Sequence, residues 1–406
     1  MGVKMITRDL GKVLLDFAKF PAVAILGPRQ SGKTTLAKAM FPHHRYFSFE
    51  DEATRTTALD DCRRFLSAHE NEHGLILDEF QYVPKILSYL QLDIDAKDRP
   101  GYFILTGSQN FLMNEAITQS LAGRVGIVDL LPFSLHELST HNLLGSHIDH
   151  LLFHGFYPRL YDKNIAPEKL YPSYIQSYVE RDVRQLVNVT DLHVFQKFMA
   201  LCAGRIGQLV NFETIGSECG ITGKTVKKWL SILEATYTVF LLQPHHKKFN
   251  KRITNTPKLY FFDTGLACSL LRITTVESLA FNPLRPALFE NLIIADFYKQ
   301  YCNKGMRPPL YFWRDRNGTH EIDCIIDQGT RLIPVEIKSG ETVTADYFKG
   351  LAYWDELIQT KDIYAPDIPA QTSSPKYIIY GGVETHMRRQ GTVLGWRSAI
   401  NVIDKA

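Results

Sequence analysis

The chain has no CxxC pair, no long apolar run and almost no net charge, and each lack removes a class of protein. Its six cysteines, Cys62, Cys202, Cys219, Cys268, Cys302 and Cys324, stand singly across 406 residues. That scatter speaks against a structural zinc and a disulfide framework and fits a reducing compartment, so a cytoplasmic location is expected. No stretch approaches the length of a membrane span, and no membrane partner is expected. The opening "MGVKMITRDLGKVLLDFAKF" lacks a secretory core because Asp9, Lys12 and Asp16 interrupt it. Ile6 stands where a myristoylation signal wants Ser or Thr. A net charge of +3 makes no global argument for nucleic acid, so any such argument must come from local clustering. With 45% hydrophobic and 22% charged residues the chain is an ordinary globular protein, and its length suggests two or three domains.

What is present starts with "AVAILGPRQSGKTTLAKAM". It reads as an apolar strand (22–26), a glycine-containing turn and a helix from Lys33. Gly27, Gly32, Lys33 and Thr34 satisfy GxxxxGK[ST], in which backbone N–H groups curl around phosphate oxygens at a helix N-terminus. The expected cofactor-binding set is Gly27, Pro28, Arg29, Gln30, Ser31, Gly32, Lys33, Thr34, Thr35 and, from a later strand end, Ser108. ATP and Mg²⁺ are the expected cofactors, with Lys33 on the β- and γ-phosphates and the Thr34 hydroxyl on the metal. The strand "LILDEF" ends in Asp78, a metal-side carboxylate, and Glu79, a base for the attacking water. That base favours hydrolysis over transfer to a small acceptor. A third strand, "YFILTGSQN", ends in Thr106, Ser108, Gln109 and Asn110. Ser108 either senses the γ-phosphate or caps the following helix. Arg124, before the next apolar strand, is a candidate finger in cis or across subunits, with a plain surface arginine as the alternative. Alternating strands and helices around this loop imply a mainly parallel, doubly wound sheet.

The middle is quieter. Around "SYIQSYVERDVRQL" the apolar spacing suggests a helix, with Arg181 and Asp182 on a solvated face or, as the alternative, paired with neighbouring residues or with the ATPase unit. From Phe195 the pattern sharpens. A helix is followed by "NFETIGSECGITGKTVKKWLSILEA", where one helix ends at Cys219-Gly220. Thr222 caps the next, which turns Val226, Trp229, Leu230 and Leu233 inward. Two strands follow, 239–242 and 258–262, which makes a winged helix. Lys224, Lys227, Lys228, Lys247, Lys248, Lys251, Arg252 and Lys258 face only Glu234, a balance suited to DNA phosphates or to a solvated surface.

The last third reads helix, three strands, helix, strand. In the hairpin "EIDCIIDQGTRLIPVEIKSG" the period of two puts Glu336 and Lys338 on one face, and Asp323 can reach it from the partner strand. Two carboxylates, a carbonyl and a lysine suit metal-assisted phosphodiester hydrolysis. Glu290, on the preceding helix, could complete the shell. The expected catalytic residues are therefore Glu79, Arg124, Asp323, Glu336 and Lys338. The expected metal ligands are Thr34, Asp78, Glu290, Asp323 and Glu336. A lysine–glutamate pair without catalysis explains the same hairpin residues.

Taken together, "GPRQSGKTT", "LILDEFQ", "ILTGSQ", "LAGR", "YVERDV", "PKLYFFDTGLA", "FENLI", "EIDCII" and "PVEIKSG" resemble the bacterial AAA-type ATPases fused to a PD-(D/E)xK-like domain of unknown function. Ile322 stands where that nuclease pattern often has proline. The resemblance implies an α/β chain with a P-loop NTPase domain at 1–138, a helical linker at 139–194, a winged helix at 195–280 and a restriction-endonuclease-like domain at 281–406. It implies ATP binding, a link to DNA and a nuclease-like fold at the C-terminus. The functional expectation is an ATPase that engages DNA and couples nucleotide state to that last domain. The alternative is a switch whose last domain is inactive and binds DNA or a protein, with a homo-oligomer possible in either case.

Overall fold

The computed structural model describes residues 6–108, 117, 119–178, 192–245, 256–315, 317–359 and 375–405. The expectations at Gln109, Asn110, Arg181, Asp182, Lys247, Lys248, Lys251 and Arg252 lie outside these residues.

Short apolar strands bounded by glycine and polar turns build the first sheet. They are β1 (Ala22–Leu26), β2 (Arg45–Ser48), β3 (Leu75–Asp78), β4 (Phe103–Gly107) and β5 (Val125–Asp129). Their order is β2-β3-β4-β1-β5, and every pairing is parallel. A parallel sheet is covered on both faces, which is why β1, β3 and β4 are buried throughout. Alternate residues of β1 serve different cores. Val23 and Ile25 pack with Leu10, Leu14 and Leu36 of the helices α1 (Leu10–Phe17) and α2 (Lys33–Met40), while Ala22, Ala24 and Leu26 face the other layer. β2 has no counterpart in the sequence reading, because Arg45 is exposed and the edge strand has no buried run.

The middle follows the sequence closely. α3 (Leu135–Thr140) opens with a Ser134–Glu137 capping box. After α4 (Leu192–Ala203) come α5 (Phe212–Cys219) and α6 (Gly223–Ala235). α5 is capped by Asn211 and stopped by Gly220 at φ 75°, and Thr222 caps α6. A Cβ on Gly216 would stand 2.7 Å from the Ile221 carbonyl oxygen, so the tight turn needs glycine there. Val226, Trp229, Leu230 and Leu233 are buried, and Lys224, Lys227 and Lys228 are exposed.

Glu234, near the end of α6, is pushed by burial from the ordinary 4.5 up to about 7. A raised carboxyl pKa means the folded chain holds the proton more tightly than the unfolded one. Stability is therefore fully present below pH 4.5 and declines as pH rises through 7. Glu234→Gln should remove that slope and add on the order of 2 kcal/mol at pH 8. Urea unfolding of both proteins at pH 5 and pH 8 measures it, and equal slopes would refute the assignment.

β6 (Val239–Pro244) and β7 (Lys258–Phe261) pair antiparallel, as expected. They do not stand alone. Gln243 and Pro244 of β6 pair in parallel with Tyr311 and Phe312 of β8 (Leu310–Arg314). The ribbon thereby becomes the edge of an eight-stranded sheet ordered β12-β13-β11-β10-β9-β8-β6-β7. Its other strands are β9 (Glu321–Asp327), β10 (Leu332–Lys338), β11 (Tyr377–Tyr380), β12 (His386–Arg388) and β13 (Gly391–Gly395). The two C-terminal units drawn from the sequence thus share one sheet.

α7 (Arg285–Asn303) belongs to the core that takes Ile333, Val335 and Ile337 of β10. α8 (Lys349–Gln359) covers the opposite face through Leu351 and Trp354. The β8–β9 register shifts between Tyr311 and Trp313, which pair with Ile325 and Ile322, so β9 carries one extra residue beside Asp323. α7 also reaches the first unit. Asp296 Oδ1 accepts the Leu135 N–H at 2.6 Å, and Lys299 Nζ donates to the Phe133 carbonyl at 3.1 Å.

Candidate functional site

The loop between β1 and α2 has the backbone its glycines allow. Gly27 lies at φ 151°, Gln30 at 63° and Gly32 at 95°. A Cβ at Gly27 would sit 2.2 Å from the Leu130 carbonyl oxygen, so no larger residue fits. Lys33 is buried and its Nζ donates to the carbonyls of Gly27 at 3.0 Å and Pro28 at 2.7 Å. Ser31 is fully buried and its hydroxyl has no hydrogen-bond partner. An unmatched buried hydroxyl in a loop of turned-in amides fits a phosphate oxygen. Arg29 reaches Glu50 at 3.9 Å, and Gln30 and Thr35 are exposed.

Parallel pairing brings the Asp78 end of β3 beside the loop. Thr34 Oγ1 donates to Asp78 Oδ1 at 2.8 Å, placing two hard oxygen donors together as Mg²⁺ requires. Asp78 also accepts the Tyr46 hydroxyl at 2.7 Å and the Thr106 hydroxyl. Burial and the Asp78 carboxylate push the Tyr46 phenol up to about 12. Glu79 follows at φ 54°. The Gln81 side-chain amide donates to Glu79 Oε2 and, at 3.1 Å, to Ser108 Oγ. The end of β4 is therefore linked to Glu79 through Gln81, which the sequence reading passed over.

Arg8 was missed as well. Its guanidinium donates to Glu137 Oε1, the Ser31 carbonyl and the Leu131 carbonyl, each at 2.7 Å. The side chains of the pair are only 7% and 0% exposed. Burial works to raise the Glu137 pKa, but the Arg8 charge and the amides of Ser134 and Asp9 outweigh it and hold the carboxyl below its usual range. Beside Gly32 and Thr35 opens a cavity of about 570 Å³, lined by Ile6, Leu15, Leu36, Met40 and Phe133.

Arg124 is elsewhere. It precedes β5 at the end that pairs with Ala22, whereas the loop follows Leu26, the partner of Asp129. Five residues of strand separate them, roughly 16 Å. Arg124 instead pairs with Asp95, Nε to Oδ1 at 2.5 Å. Arg124 is therefore out of reach of the loop in its own chain, which leaves the surface arginine and the route between subunits.

In the C-terminal sheet, Asp323, Glu336 and Lys338 do come together. Lys338 Nζ lies 2.5 Å from Glu336 Oε2 and 3.3 Å from Asp323 Oδ2, which also accepts the Ile337 N–H at 2.8 Å. Glu336 Oε1 is buried with no partner. Burial, then the Asp323 charge, raises the Glu336 pKa against the pull of Lys338. Glu290 has further partners: its Oε1 accepts the Tyr260 hydroxyl at 2.5 Å and the Lys258 ammonium at 3.4 Å. Among the described residues no group of three or more His, Cys, Asp or Glu is arranged to hold a metal ion. Lys258, counted above as a surface charge, is 3% exposed.

The parallel sheet, the glycine loop and the Thr34–Asp78 contact define a P-loop nucleotide site. Residues 19–139 match the AAA domain family, and this part of the chain is an AAA-type P-loop ATPase domain. Residues 145–277 match a domain of unknown function, DUF8612, and residues 285–398 match another, DUF4143. Uncharacterized proteins of Mycobacterium tuberculosis and Mycobacterium bovis are each 28% identical over 326 residues, which is 79% of this chain and 71% of theirs. A Walker-type ATPase of Pyrococcus abyssi is 16% identical with a TM-score of 0.43, covering 66% of this chain and 96% of its own. The Orc1 protein of Aeropyrum pernix, solved in complex with DNA, is 13% identical with a TM-score of 0.31, covering 72% and 95%. Among the described residues no helix is long and apolar enough to cross a membrane.

Proposed function

We propose that the chain is an ATP-hydrolysing switch that engages DNA through the unit at 195–280 and couples its nucleotide state to a nuclease-like C-terminal unit. The observation that carries the reading is the Thr34–Asp78 contact beside an orphaned Ser31 hydroxyl. Thr34 and Asp78 would hold Mg²⁺, which supplies charge neutralisation between the phosphates when bound. Lys33, now on two loop carbonyls, turns to the β- and γ-phosphates. The apolar cavity beside Gly32 receives the base. Glu79, oriented by Gln81, takes a proton from the attacking water, and Ser108 relays the γ-phosphate position to the same pair. Arg124 would act only in a neighbouring subunit of an oligomer.

Support for DNA comes from Lys224, Lys227 and Lys228, which are exposed on the face of α6 opposite its buried side. Such a row suits phosphates and carries no sequence preference. Support for a nuclease-like unit comes from Asp323, Glu336 and Lys338 meeting across the β9–β10 hairpin. The unpaired Glu336 oxygen fits one divalent ion, which when bound would polarise a phosphodiester. The second reading, an ATP-driven switch with an inactive last unit, is favoured by Glu290 being taken up by Lys258.

The test incubates plasmid and single-stranded DNA with Mg²⁺ or Mn²⁺ and with ATP, ADP or neither. Nicking by the wild type that falls at least 100-fold in both Asp323→Ala and Lys338→Ala supports the first reading. No cleavage under any condition selects the second. Cleavage unchanged in both variants comes from another enzyme.

A further inference from the structure

The C-terminal cluster holds more charge than its hairpin motif requires. Glu290 on α7, Glu321 and Asp323 on β9 and Glu336 on β10 are four carboxylates in one network with two ammonium groups, of which Lys258 is buried. Lys338 serves Glu336 and Asp323. Lys258, from the neighbouring ribbon strand β7, serves Glu321 and Glu290. The Lys258 ammonium is almost wholly removed from water, and the groups it meets there are the Glu290 and Glu321 carboxylates. Tyr260, two residues further along β7, donates its hydroxyl to the same Glu290 oxygen. Arg314 Nη1 lies 3.4 Å from the far oxygen of Glu321. The only orphaned carboxylate oxygen in the network among the described residues is on Glu336, at the Lys338 end.

A carboxylate gathering of this density is held together either by divalent ions or by fixed protein cations. Here one end has an ammonium on both Glu290 and Glu321 and a phenol on Glu290, and the other keeps a buried oxygen with no partner. We infer that Lys258 is a built-in cation of this site. It stands where a divalent ion would otherwise bridge Glu290 and Glu321, so the cluster takes a single divalent ion, on Asp323 and Glu336. The inference deepens the metal reading of the C-terminal unit and rests on it for the single ion, although the role of Lys258 can be tested separately. It also gives the ribbon a function in the sheet it extends, because β7 delivers the lysine that completes the neighbouring unit.

The experiment counts Mn²⁺ ions bound to the nucleotide-free full chain by electron paramagnetic resonance. It uses an Asp78→Asn background that removes the ion of the phosphate loop. The expected result is one ion in that protein and two when Lys258→Met is added. Two ions before the lysine is changed, or one ion both before and after, would overturn the inference. No ion before the change and one after would retain the role of Lys258 while removing the metal reading of Asp323 and Glu336. No ion in either overturns both. Lys258→Met leaves two acids facing each other and can weaken the fold, so Lys258→Met with Asp323→Asn is measured beside it in the same Asp78→Asn background. That pair restores the charge balance, blocks the Asp323–Glu336 site and keeps Glu290 and Glu321 as ligands. Its thermal midpoint should rise by several degrees when Mn²⁺ is added, with no such rise in Asp323→Asn alone, which keeps Lys258. A midpoint indifferent to Mn²⁺ in the pair overturns the inference.

Discussion

Arg8→Ala is expected to lower the unfolding free energy by about 3–5 kcal/mol and to loosen the phosphate loop in the same step. The guanidinium is enclosed between three elements that are far apart in the chain. It neutralises Glu137 at the start of α3, holds the Leu131 carbonyl ahead of that helix, and holds the Ser31 carbonyl inside the loop. Removing it strands a fully buried carboxylate and leaves two carbonyls unpaired. The Glu137 carboxyl also accepts the Ser134 and Asp9 N–H groups, so it cannot turn away to find water. Because Glu137 is held below its usual pKa, this stability is present above the ordinary carboxylate range and fades as pH falls through the folded value. Urea unfolding at pH 7 measures the loss. Adding Glu137→Gln to Arg8→Ala should recover part of it, since a neutral amide costs less to bury than an ion. A double variant no better than the single would mean that the stranded charge is not the cause.

The sequence announces what depends on neighbours in the chain and hides what depends on folding across it. The phosphate loop was legible because its glycines, lysine and threonine act within eight residues of one another. So was the pair α5 and α6, where Gly220, Thr222 and the inward Val226, Trp229, Leu230 and Leu233 are all local signals. Arg8 was not, because its partner Glu137 is 129 residues away. The joining of β6 to β8 rests on two residue pairs at Gln243 and Pro244 and leaves no periodic trace. Lys258 was misread for an instructive reason. It was counted with the basic residues before it, yet it opens the strand "KLYF", buried along its whole length. A single charge at the head of a run of buried apolar residues was the signal that it had a partner inside. Glu290 was expected to complete a metal shell, and its contacts with Lys258 and Tyr260 could not be read ahead, since helical spacing shows that a residue faces inward and not what it meets there.

Lys33→Ala should leave the fold close to wild type while abolishing nucleotide turnover. In the structure the Lys33 ammonium rests on the Gly27 and Pro28 carbonyls, and losing two such bonds costs about 1–3 kcal/mol. The functional loss is larger because the same ammonium is the cation placed to meet charge on the β- and γ-phosphates. Removing one preorganised donor to a transition state costs about 100- to 1,000-fold in rate. Glu79→Gln supplies the contrast within the same experiment. The amide keeps the shape and can still meet Gln81, but it cannot take a proton from water, so ATP should remain bound and unhydrolysed. A fluorescent ATP analogue reports binding and phosphate release reports turnover. The expected outcome is neither signal for Lys33→Ala and binding alone for Glu79→Gln. Wild-type phosphate release from Lys33→Ala would place the hydrolytic site outside this loop, and with it would go the role assigned to Thr34 and Asp78.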